Sequence, residues 1–214
     1  MELIIGLIIL LFSAILHEVA HGYVADRLGD PTARLSGRLT LNPKSHIDPF
    51  MSILLPLLLI FSGSPVIFGA AKPIPIDPFN LKEGRKDIAL VALSGPLTNI
   101  ILAVAASFIL KIISSPFALS IIPPLLFSIF YFLFSIVITY NLLLAIFNLL
   151  PIPPLDGSKI FALLLPEKEA TVYLALSSIG IFILFFLLLF PIGGFSLSNF
   201  VFNLLSFSKS LLMP

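Results

Sequence analysis

The run His17-Glu18-Val19-Ala20-His21 concentrates the residue types that can do chemistry. Residues four apart share a helix face, so His17 and His21 can offer two imidazoles to one ion. Glu18 then sits about 100° around the helix, near the ion's open position. This is the spacing of a zinc site built for hydrolysis. A single interior histidine is usually a hydrogen-bonding core residue, but this cluster falls inside an apolar run, where charge is costly, and that favours zinc. Catalytic zinc takes three protein ligands and keeps a fourth position for water, so a further His, Asp or Glu must come from elsewhere. The metzincin pattern is excluded, because Arg27 stands where its third histidine would be and Val24 where its glycine would be. His46 and Asp48 are options. Asp156 is better placed, since it closes Asn148-Leu149-Leu150-Pro151-Ile152-Pro153-Pro154-Leu155-Asp156-Gly157. Three prolines there break a long membrane helix and can turn a carboxylate back toward a bundle. The plainer alternative for Asp156 is a helix-capping aspartate.

Such a site needs elements to hold it, and composition says where they are. The chain has 214 residues, 58% hydrophobic and 11% charged, without cysteine or tryptophan. That is too apolar for a water-soluble domain or a disordered tail, so the bilayer is its solvent. Twelve Lys and Arg against eleven Asp and Glu leave no basic surface of the size nucleic acid needs. The lack of cysteine excludes disulfides and thiol catalysis.

The pattern predicts an all-α polytopic membrane protein with four to six membrane helices. The first apolar run passes straight into His17 without a basic start, so it reads as a retained helix rather than a cleaved signal. Three more spans are expected over roughly 88–113, 121–150 and 172–190. The tail 195–212 can span the membrane or lie along its surface. The stretch 50–68 is short, is interrupted by Pro56, and has four cations on each side; equal flanks favour a re-entrant segment. The same charge rule puts ten of the twelve cations, and the site, toward the cytoplasm, with Lys111 and Lys209 as exceptions. Short extended segments at that face are expected at 37–41 and 70–76, the second an edge at best because of Pro73 and Pro75. With no internal repeat and no appended soluble domain, 1–214 reads as one membrane domain, its catalytic core about 1–160 and its C-terminal helices about 170–213.

On these motifs the chain resembles the site-2 protease family of intramembrane zinc metalloproteases. The 17–21 run is similar to the family's HExxH helix, residues 148–157 to its NxxPxPxLDG motif, and Ser94-Gly95-Pro96-Leu97-Thr98-Asn99 to its GPxxN segment. The loop Leu41-Asn42-Pro43-Lys44-Ser45-His46-Ile47-Asp48-Pro49 resembles a compact subgroup without PDZ-like or CBS-like domains. The resemblance implies His17, His21 and Asp156 as ligands of one zinc ion, Glu18 as catalytic acid/base, and Asn148 as a polar group near the reacting carbonyl. Interhelical hydrogen bonding is the alternative for Asn148. His46 is left between orienting substrate or ligands and being a surface loop histidine.

The expected function is intramembrane zinc endopeptidase: hydrolysis of peptide bonds within or next to transmembrane segments of single-span membrane proteins in the cell membrane. A zinc-binding transporter or sensor without peptidase activity is the alternative, with Glu18 as ligand or proton carrier. A helical substrate hides its carbonyls in its own hydrogen bonds and must unwind first, which the edge at 37–41 or 70–76 could assist.

Overall fold

The computed structural model describes residues 2–49, 54, 57–58, 61 and 71–214. Among them it contains nine α-helices, three short 3-10 turns and one isolated β-bridge, Ile192 to Phe195. In chain order the helices are α1 Glu2–Leu28, α2 Thr32–Leu35, α3 Arg85–Ile113, α4 Pro116–Ile121, α5 Pro124–Asn148, α6 Asp156–Phe161, α7 Glu167–Ala175, α8 Ser177–Leu189 and α9 Leu197–Leu212. The all-α polytopic architecture expected from composition is the one observed.

Helices α1, α3 and α5 are each long and apolar enough to cross a bilayer. The span expected over 172–190 is instead a bent pair: α7 and α8 meet at 67°, giving a fourth crossing if the two are one span. The tail is helical as α9, at 16 residues shorter than those three. The stretch 50–68, expected to be re-entrant, lies outside the described residues but for positions 54, 57–58 and 61. Neither 37–41 nor 71–76 joins a β-ladder; the first is turn and bend, the second has no regular assignment.

The chain packs as two compact units, Met1–Gly95 and Pro96–Pro214. In the first, Gly29 adopts φ +117 directly after α1, a left-handed geometry that ends a helix most cheaply at glycine. The chain then doubles back so that Ala25, Leu81 and Val91 form one apolar cluster. Gly22 makes the return possible, because a Cβ there would lie 2.8 Å from Leu39 Cδ2 and 2.9 Å from Ile74 Cγ2. Asp30, with no solvent exposure, ties the turn together. Its carboxylate accepts from the Thr32 amide at 3.1 Å, the Thr32 hydroxyl, the Asp77 amide at 2.7 Å and Asn80 Nδ2 at 3.0 Å.

In the second unit, Ala103, Ala106 and Leu110 of α3 pack against Ile138 and Leu142 of α5, with Leu205 and Leu212 of α9 alongside. A second cluster joins Ile146 and Leu150 to Leu184 of α8 and to Leu197 and Val201 of α9. Asn99 donates to Asn141 Oδ1 at 2.8 Å, and Asn141 donates to the Val137 carbonyl at 2.9 Å. That pairing gives two buried amides the structural role their positions suggest. Gly180 lets the proline loop lie on α8, since a Cβ there would fall 1.9 Å from the Pro153 carbonyl oxygen.

Asp30 titrates below its ordinary value. Burial alone would raise it, but hydrogen bonds from the Thr32 and Asn80 side chains and the Asp77 and Thr32 amides outweigh that and favour the carboxylate. With the folded value below the unfolded one, the stabilisation is complete above the unfolded value of 3.8 and is lost as pH falls through the lower folded value. Thermal unfolding of detergent-solubilised protein should therefore lose stability toward pH ~3 more steeply in the wild type than in Asp30→Asn, which itself should cost about 1–3 kcal/mol at neutral pH.

Candidate metal centre

In the first unit, α1 carries His17 and His21 one turn apart, both buried, with ring centroids 4.6 Å apart and planes at 89°. Their Nε2 atoms are 3.0 Å apart. The Nδ1 of His21 lies 2.7 Å from the Val91 carbonyl oxygen of α3. A carbonyl only accepts, so Nδ1 carries the proton and Nε2 keeps its lone pair, the tautomer a metal needs. Ser94 donates to the same carbonyl at 2.6 Å, and its hydroxyl lies 3.3 Å from Nδ1.

These residues fit a zinc ion. Ligand nitrogens at tetrahedral zinc stand about 3.3 Å apart, close to the spacing here, and two imidazole nitrogens this near must share a proton or a cation. The place is also kept clear by the backbone. A Cβ on Gly95 would lie 2.5 Å from His21 Nε2 and 2.6 Å from His17 Nε2, so any side chain would sit against these two nitrogens. Gly95 permits close helix approach against these two rings.

Glu18 is half-buried on the neighbouring face of α1, and its Oε2 accepts from the Ile74 amide at 2.9 Å. A carboxylate held by one oxygen has its other oxygen to take a proton. His46 is fully buried, which removes the surface-loop reading; its Nε2 donates to the Thr40 carbonyl at 2.7 Å. Asp48 is half-buried.

The second unit holds the other two candidates. Asp156 is the first residue of α6, is buried, and receives Lys159 Nζ at 3.1 Å. Leu155 occupies the cap position and no side chain caps this helix, so Asp156 is not spent as its N-cap. Gly157 sets where the carboxylate emerges: a Cβ there would lie 2.2 Å from the Leu149 carbonyl oxygen and 2.5 Å from that of Leu150, so only glycine lets the chain fold back onto the end of α5. Asn148, at the last turn of α5, donates from Nδ2 to the Leu144 carbonyl at 3.0 Å, which leaves one N–H of that amide.

Sequence reasoning did not find the Val91 carbonyl, the Ser94 hydroxyl or the Ile74 amide. Two of the three are main-chain groups, present at every position and singled out only by folding. Ser94 lies in the 94–99 motif, but nothing in that motif tells which of its residues faces a histidine.

The model of peptidase family M50 matches residues 5–191. The chain is 38% identical to "Putative zinc metalloprotease YwhC" of Bacillus subtilis, over 89% of this chain and 82% of that protein. It is 33% identical to "Putative zinc metalloprotease Rip2" of Mycobacterium tuberculosis, over 83% of this chain and 62% of the relative. The Mycolicibacterium smegmatis protein of the same name is 31% identical over 69% of this chain and 52% of its own length. No solved structure matches.

Replacing Gly95 by alanine tests the cradle. Bound zinc, measured by atomic emission on purified protein, should fall well below the wild-type stoichiometry. Helicity by circular dichroism should be kept, since alanine is favoured over glycine inside a helix by about 1 kcal/mol.

Proposed function

Because the chain belongs to peptidase family M50, the site-2 proteases, we propose that it is an intramembrane zinc endopeptidase that hydrolyses peptide bonds within or next to transmembrane segments of single-span membrane proteins. The family is one of zinc metalloproteases, and the chain is an integral membrane protein with three or four crossing helices. The observation that carries the finer reading is the histidine pair. Its Nε2 atoms stand 3.0 Å apart, one ring is fixed in tautomer by a main-chain carbonyl, and a carboxylate follows on the adjacent helix face.

In this reading His17, His21 and Asp156 hold the zinc, and residues 1–214 act as one catalytic domain. When bound, zinc supplies Lewis acidity, polarising a carbonyl and bringing the pKa of water near 7. Glu18 takes the proton of the attacking water and returns it to the departing amine as the peptide C–N bond breaks. The Ile74 amide keeps Glu18 from swinging between those two transfers. Asn148 offers its remaining N–H to the carbonyl oxygen as negative charge develops there. The balance of positive charge supports a site toward the cytoplasmic side of the cell membrane.

Purified protein should contain about one zinc per chain, as a three-ligand site requires. Glu18→Gln should keep that metal and lower cleavage of a panel of model membrane helices by at least about 1000-fold, while Asp156→Ala should lose the metal as His17→Ala does. Full cleavage by Glu18→Gln would remove the acid/base role. Zinc flux into liposomes without any cleavage would instead make the protein a transporter.

A further inference from the structure

Main-chain donors are sparse between residues 72 and 77, because Pro73 and Pro75 have no N–H. Ile74 therefore carries a lone donor between two prolines, and Glu18 Oε2 takes it at 2.9 Å. The carboxylate cannot shift to the amide on either side, since neither exists. Whatever sets the position of Ile74 thus sets the position of Glu18.

Three contacts within the first unit do so. Lys72 donates its amide to the His46 carbonyl at 2.8 Å. Asp77 donates its amide to buried Asp30 at 2.7 Å, anchoring the far end. Between them Arg38 spans the chain: its Nη2 donates to the Lys72 carbonyl at 2.9 Å and lies 3.4 Å from that of Pro73. Arg38 is half-buried, and its Nε is buried without a hydrogen-bond partner among the described residues. A cation held in this way, with no carboxylate partner described, is spent on holding main chain. The His46 side chain serves the same end, its ring bonded to Thr40 two residues from Arg38 while its carbonyl takes Lys72.

We propose that Arg38 is a positioning residue for the catalytic carboxylate, gripping the Lys72 and Pro73 carbonyls so that the Ile74 N–H holds Glu18 in place. The inference rests on the acid/base role of Glu18. The grip on the segment is physical and can be read without any chemistry. Arg38 touches neither metal ligand nor substrate in this scheme, so its removal leaves metal and substrate affinity unchanged and lowers turnover.

The test uses full-length protein in detergent or bilayers, with Arg38→Ala, Arg38→Lys and Glu18→Ala. Amide hydrogen exchange in a peptide covering 71–77 should speed up about ten-fold in Arg38→Ala and in Glu18→Ala, as expected for losing a charge-assisted bond, with exchange in α5 unchanged. For Arg38→Ala, kcat on a model membrane helix should fall about 10- to 100-fold, with KM and zinc content held. Arg38→Lys, whose ammonium can still donate to Lys72, should recover part of both. Unchanged exchange at 71–77 in Arg38→Ala would overturn the proposal, as would a change confined to KM or a loss of zinc. If exchange responds as expected but Glu18→Gln remains fully active, the grip stands and the acid/base role is what fails.

Discussion

Two imidazoles can act together inside an apolar helix only if their remaining nitrogens are committed and the space in front of them is empty. The first condition is met for His21 by the Val91 carbonyl at 2.7 Å, which fixes the tautomer and turns Nε2 toward His17. The second is met at Gly95, one helical turn further along α3, where the missing side chain is what leaves the two Nε2 atoms uncovered. Both conditions are set by the same stretch of α3, so its register against α1 decides whether the two Nε2 atoms stay uncovered. A shift of one residue along α3 would turn Gly95 away and bring a side chain against the rings, since neighbours on a helix lie about 100° apart.

Several polar groups elsewhere follow the same rule, that in apolar surroundings a polar atom gains by finding a partner. Asp30 collects four donors and thereby orders the turn after α1. Asn99 and Asn141 satisfy one another in the second unit. Glu18 is held by a main-chain amide rather than a cation.

Glycine serves the second unit differently. Gly157 and Gly180 are points where main chain meets main chain: the segment after the prolines is pressed onto the Leu149 carbonyl on one side, and α8 onto the Pro153 carbonyl on the other. With the backbone gripped at both, Asp156 leaves it from a fixed place rather than from a mobile loop. The prolines end α5, and the glycines decide where the chain goes afterwards.

How much of this was legible in the sequence depends on the range of the interaction concerned. The pairing of His17 with His21 and the place of Glu18 follow from helix periodicity, and the crossing helices from runs of apolar residues; both are local properties of the chain. The break after Asn148 is equally local, because proline cannot continue a helix. The bend between α7 and α8 was not legible, since an apolar run specifies burial and not straightness. The burial of His46 was not legible either, because a polar loop in the sequence carries no mark of what folds over it. Nor were the main-chain partners of the site, as the Val91 carbonyl and the Ile74 amide are chemically the same as every other main-chain group. The sequence by itself determined which side chains can do chemistry and that lipid surrounds them. The tertiary structure alone decided which backbone atoms orient them, because selecting one carbonyl or amide among many requires packing between segments far apart in the chain.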